Sequence, residues 1–141
     1  MNSKNWHFPE ALARGEFPYL TLLGIEVSSI SEGHAEIKMT VTERHLRSLG
    51  ILHGGVTSSL IDTALGLAGA SHAPDNHHAV TSQLSVNFTR IAKAGETLTT
   101  KGETIHMGSR TAVCRGEVRN EQGDLIASGT STVMFLPLEN P

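Results

Sequence analysis

From Ser48 to Thr89 the chain contains no Lys or Arg, and its only acids there are Asp62 and Asp75. Within that stretch, residues 54–71 read Gly-Gly-Val-Thr-Ser-Ser-Leu-Ile-Asp-Thr-Ala-Leu-Gly-Leu-Ala-Gly-Ala-Ser, the longest apolar segment of the sequence. Val56, Leu60, Thr63/Ala64, Leu67 and Ala70/Ser71 recur at the helical period of about 3.6 residues rather than at the period of two expected of a strand. Pro74-Asp75-Asn76 stops the segment. A helix this poor in charge has no solvated face of its own, so the rest of the chain, or a second copy, has to enclose it.

The remainder reads as strands. Residues 23–30 and 34–41 form two, joined at Ser31-Glu32-Gly33; Ala35, Ile37, Met39 and Val41 alternate with His34, Glu36, Lys38 and Thr40. Four more are expected at 79–89, 96–106, 110–120 and 124–136, with turns at Ala94-Gly95, Met107-Gly108-Ser109 and Glu121-Gln122-Gly123. In the first of these, Val80, Leu84, Val86 and Phe88 alternate with Thr81, Gln83, Ser85 and Asn87. Short turns make neighbours antiparallel, and alternation gives one dry and one wet face. The economical architecture is α+β: a curved antiparallel sheet of five or six strands wrapped around one long helix. A short helix at Pro9–Arg14, stopped by Gly15, is expected to pack as part of an N-terminal flap over residues 1–20. With a single long helix, the sheet edges invite pairing with a second copy.

Composition narrows the function. At 141 residues and 15.1 kDa the chain fits one domain, residues 1–141. The net charge of −3 and pI near 6.2 argue against nucleic acid or an anionic membrane as partner. The N-terminus lacks the apolar core of a signal peptide and no apolar run reaches membrane-spanning length, so a cytoplasmic location is expected. The single Cys114 excludes an intrachain disulfide and falls on the apolar side of its strand, as a core thiol would. His72, His77 and His78 lack the Cys or acid that would complete a metal site, and no cofactor-binding pattern occurs, so neither metal nor cofactor is expected. Ser58 and Ser59 lack the context of a nucleophile elbow.

Two features carry chemistry. Leu52-His53-Gly54-Gly55 stands where a loop becomes the long helix. Unpaired N–H groups at a helix start stabilise a developing oxyanion, and glycines let a carbonyl approach the backbone; the same residues also suit a tight helix entry. Asp62 has no basic neighbour in its apolar helix. A carboxylate held away from water and counter-charge is a stronger base and nucleophile; the same acid also suits the solvent face of the helix, or a bond to Ser59 or Thr63. Gly55 and Asp62 are seven positions apart, roughly 10 Å along a helix. Groups acting on one carbonyl must both come within about 3 Å of it. Two antiparallel copies of the helix across a twofold axis can bring Gly55 of one chain to Asp62 of the other.

Gly50-Ile51-Leu52-His53-Gly54-Gly55, Ser59-Leu60-Ile61-Asp62-Thr63-Ala64, Val80 to Phe88 and the final hairpin Gly-Asp-Leu-Ile-Ala-Ser-Gly at 123–129 resemble the PaaI-type hotdog-fold acyl-CoA thioesterases over residues 23–135. The resemblance implies hydrolysis of an acyl- or aryl-CoA, with coenzyme A as part of the substrate rather than a cofactor. It implies Asp62 as base or nucleophile, Gly55 N–H on the thioester carbonyl, and His53 fixing the loop or the surroundings of the leaving sulfur. It places Thr81 where a hydroxyl orients the acid and water, and implies a homodimer at minimum, with dimers pairing into a homotetramer. Relatives carry Asn where this chain has Arg47, whose fork can ion-pair with Asp62 across the interface, bind a CoA phosphate or face solvent. Gly54, Arg90, Lys93 and Arg110 are the further substrate-binding candidates. A thioester hydratase or dehydratase and a non-catalytic acyl-CoA-binding protein are the competing readings.

Overall fold

The computed structural model describes residues 16–139. Six antiparallel strands form one sheet in the order β1-β2-β6-β7-β8-β5, with β1 Glu26–Ser31, β2 His34–Thr40, β5 His77–Phe88, β6 Thr97–Met107, β7 Thr111–Arg119 and β8 Leu125–Pro137. A two-stranded ribbon, β3 Leu46–Arg47 and β4 Ile51–Leu52, precedes the long helix α2, Gly54–Ala70. The sheet wraps this helix, as the charge-poor sequence requires.

A row of small residues decides where the helix lies. Ala35, Gly102, Gly116, Gly129 and Val86 are register partners across β2, β6, β7, β8 and β5. A side chain at Gly102 would come 2.8 Å from the Ala64 carbonyl oxygen, one at Gly116 2.5 Å from Leu65 Cδ1, and one at Gly129 2.8 Å from Ile61 Cγ2. All three lengths are shorter than carbon contacts permit. The glycines therefore form a trough into which Ile61, Ala64 and Leu65 sink, all fully buried. Gly69 does the same from the helix side, where a side chain would meet Val133 Cγ2 at 2.5 Å. The buried face is wider than the one expected: Leu60, Ala64 and Leu67 are buried as the period predicts, Ile61, Leu65 and Ala68 join them, and Thr63 and Ala70 stay partly exposed. The helix is apolar almost all round, so its periodicity marks the face weakly and the trough selects it.

Two expectations require correction. The first strand does not begin at Leu23, because Pro18–Leu23 form a short helix, α1, started by Pro18 and ended by Gly24 at φ 74°. The expected Pro9–Arg14 helix lies outside the described residues. In β5 the expected alternation breaks, since Thr81 pairs with Val133 and Gln83 with Thr132, leaving Ser82 as a one-residue bulge. The bulge puts Thr81 on the same, helix-facing side as Leu84 and Val86, which pack on the core. No periodicity reading anticipates an inserted residue.

Cys114 is fully buried and unpaired. Burial pushes its thiol up, more than a contact with the Thr104 hydroxyl lowers it. Its thiol is expected to resist a disulfide reagent at pH 8 until denaturant is added; stoichiometric reaction in the folded protein would contradict this placement. Gly102→Ala is expected to cost about 1–3 kcal/mol in urea unfolding, because its neighbour is helix backbone rather than a movable side-chain tip.

Candidate active site

The entry of α2 is built by the segment before it. His53 N–H donates to the His45 carbonyl at 2.9 Å, and Leu52 N–H donates to that of Ala92 at 2.9 Å. His53 is the N-cap: its backbone is extended, and its ring Nδ1 accepts from Gly55 N–H at 2.8 Å. With Nδ1 as acceptor, Nε2 is the ring nitrogen that can donate. Val56 N–H donates to the His53 carbonyl at 3.0 Å. Among the first three N–H groups of the helix, only that of Gly54 has no partner among the described residues. The two glycines have separate reasons: a side chain at Gly55 would come 2.9 Å from His53 Nδ1, and one at Gly54 would press the Phe88 ring at 3.3 Å. Gly55 N–H, the donor expected to face the substrate, is bonded to the cap here, which leaves Gly54 N–H as the one without a partner among the described residues.

Two turns further along, Asp62 is half-buried. Thr81 Oγ1 donates to Asp62 Oδ1 at 2.7 Å, a bond that exists because the Ser82 bulge turns Thr81 inward. Its second oxygen and its charge have no partner among the described residues, so one carboxylate is oriented by a hydroxyl and left open on one side. Such a group can accept a proton from water or attack a carbonyl carbon.

The expected residues fall into two grooves at opposite ends of α2. One, about 810 Å³, is lined by Arg47, Gly54, Phe88, Arg90, Ile91 and Lys93 among others. The other, about 770 Å³, lies between α1, α2 and the start of β5 and holds Asp62 and Thr81. Gly54 and Asp62 are eight positions apart on the helix, about 12 Å. Arg47 donates to Ser48 Oγ at 3.1 Å and sits with the Gly54 groove rather than beside Asp62 of its own chain. Arg110 does not join Arg90 and Lys93; its carbonyl accepts from Phe135 N–H, and Phe135 pairs with Ala79, roughly 30 Å along β5 from Phe88. Among the described residues no three His, Cys, Asp or Glu side chains are grouped to hold a metal, and no helix is long and apolar enough to span a membrane.

Residues 49–127 match the family model of the thioesterase superfamily. The chain is 35% identical to the acyl-coenzyme A thioesterase PaaI of Escherichia coli over 127 residues, covering 90% of this chain and 88% of that one. It belongs to the thioesterase superfamily. A Haemophilus influenzae thioesterase superposes with a TM-score of 0.84 at 27% identity, covering 94% of this chain and 92% of that one. A Streptococcus mutans protein bound to acetyl-CoA superposes with a TM-score of 0.75 at 29% identity, covering 82% and 91%. The sheet and its enclosed helix are the hotdog fold, and the chain is a thioester hydrolase.

Several residues that shape this thioesterase's site carry no motif. Tyr19 of α1 hydrogen-bonds Ser59 of α2 through their hydroxyls at 2.7 Å, which roofs the Asp62 groove. His45 is buried; its Nδ1 accepts from Thr42 N–H at 2.9 Å and its Nε2 donates to the Leu23 carbonyl at 2.8 Å, pinning the far end of α1. Behind the basic groove, Asn120 donates to Glu96 and Asp124; Glu96 accepts from Lys93 N–H, and Asp124 pairs with Arg90 at 3.6 Å. Removing the cap with His53→Ala is expected to lower stability by about 1 kcal/mol, and His53→Asn to restore most of it, as read by urea unfolding. Equal losses in both variants would show that the ring acts by something other than its Nδ1 acceptor.

Proposed function

We propose that this thioesterase hydrolyses an acyl- or aryl-CoA to CoA and the free acid in a site completed by a second copy of the chain. The observation that carries this reading is the separation of Asp62 from the free Gly54 N–H along one helix, in two different grooves. Neither group alone polarises and attacks a thioester. Two chains joined along their β5 edges, with the α2 helices antiparallel, bring Asp62 of each toward Gly54 of the other. β5 stands at the end of the sheet order with twelve residues free to pair on one side, which supports that junction. Ile105, Met134 and Leu136, each more than a third exposed, support further pairing of dimers into a homotetramer.

Gly54 N–H holds the thioester carbonyl oxygen, taking the role first expected of Gly55. Asp62, oriented by Thr81, removes a proton from water or attacks the carbonyl carbon itself. In either route the carbon–sulfur bond breaks, the electron pair leaves on the CoA sulfur as thiolate, and water supplies the hydroxyl of the free acid. His53 acts as the cap that holds the helix entry in shape. Arg90, Lys93 and Arg47 around the Gly54 groove suit the phosphates of CoA, a class of substrate supported by the PaaI relative and the acetyl-CoA-bound neighbour.

CoA release from a panel of thioesters, followed with a thiol reagent, tests the activity. Asp62→Asn is expected to lower it by at least about a hundredfold. Gly54→Val should be similarly inactive, yet mixed dimers of the two variants should regain activity, because one of their two sites keeps both Asp62 and Gly54. No recovery in verified mixed dimers would overturn the shared site, and tight CoA binding without release in the parent would point to a binding protein instead.

A further inference from the structure

Gly66 is a glycine that packing within one chain does not require. Gly24, Gly33, Gly50, Gly95 and Gly123 have positive φ. At every other described glycine except Gly66 an added side-chain carbon would meet a neighbour within 4 Å. Gly66 has neither reason, since nothing lies within 4 Å of the place its side chain would occupy. It nevertheless sits in the middle of a seventeen-residue helix, where glycine is the least favourable residue after proline. Within one chain, then, this residue brings no packing gain and leaves space open beside the helix.

That space is the Asp62 groove. Asp62, Gly66 and Ala70 are spaced four apart, so they stack on one face of α2, and all three line the groove together with Leu20, Leu67 and Val80. From Asp62 to Ala70 the face runs about 12 Å beneath α1. Its middle is apolar, and α1 is pinned over it by the Tyr19–Ser59 bond at one end and the His45–Leu23 bond at the other.

We infer that Gly66 is a specificity-determining residue that holds open an acyl channel along α2, admitting an uncharged aliphatic acyl chain of medium length with its thioester at Asp62. This rests on the thioesterase reading above. A side chain at position 66 would stand one turn beyond Asp62, about 6 Å along the axis, and would block all but the first few carbons of the chain.

The test compares kcat/KM for acetyl-, hexanoyl-, decanoyl- and phenylacetyl-CoA in the parent, Gly66→Ala and Gly66→Leu. The parent should favour decanoyl over acetyl, and Gly66→Leu should lower that ratio by at least about tenfold, since each methylene kept out of an apolar site costs about fourfold. Gly66→Ala should raise Tm by about 3 °C, because open space lets the better helix former act unopposed. An unchanged decanoyl-to-acetyl ratio in Gly66→Leu would overturn the inference. So would loss of the dimer in Gly66→Ala by solution mass, which would show that a second helix fills the space. If the parent releases CoA from no thioester, the hydrolytic reading fails separately. The channel is then tested by the Kd of acetyl and decanoyl thioether analogues, whose ratio must still shift in Gly66→Leu for the inference to stand.

Discussion

The contact between α2 and the glycine trough is the constraint on which the rest of the molecule depends. Three strands give up their side chains at one level, Gly102, Gly116 and Gly129, so that helix backbone and the Ile61 and Leu65 side chains approach the sheet directly. This fixes the rotation of α2 about its own axis. With Ile61, Ala64 and Leu65 turned into the sheet, Asp62 and Gly66 are turned toward β5 and α1. The placement of Asp62 therefore follows from a steric choice made on the other side of the helix. It also explains how a helix without a strong apolar stripe is held in one orientation, since shape here does what amphipathicity does elsewhere.

The site is divided by the same geometry. A straight helix separates its first free N–H from an acid eight positions later by about 12 Å, and no side-chain rearrangement closes that gap. The basic groove at Gly54 and the apolar groove at Asp62 have the contrasting characters of the two halves of an acyl-CoA, a phosphate-bearing carrier and a hydrocarbon acid. Asn120 and its carboxylate partners stiffen the first, whereas α1 roofs the second.

Much of this was legible in the sequence, and for physical reasons. The strands are found because alternation in β2 and the turns at Gly33, Gly95 and Gly123 are local signals, and α2 is found because it is long and charge-free. Asp62 stands out because a lone acid in so apolar a helix is costly unless it reaches a partner or solvent. What the sequence does not show is non-local or one residue wide. The Ser82 bulge reverses the facing of Thr81 without any compositional sign. The choice between Gly54 and Gly55 depends on where one imidazole points, and the charge of Arg110 carries no sign that its strand starts far from Arg90 and Lys93. Of helix α1 only Leu23 falls in the expected first strand, and a helix that starts at Pro18 and stops at Gly24 is too short for its period to show in the sequence.

His45 joins parts of the molecule that otherwise touch little. Its ring spans the end of α1 and the Thr42 turn, while its own carbonyl holds the backbone of His53, the residue that caps α2. The roof of the apolar groove and the helix entry therefore share one attachment point. Replacing the His45 ring therefore removes the Leu23 and Thr42 bonds together, while the backbone link from His45 to His53 stays in place.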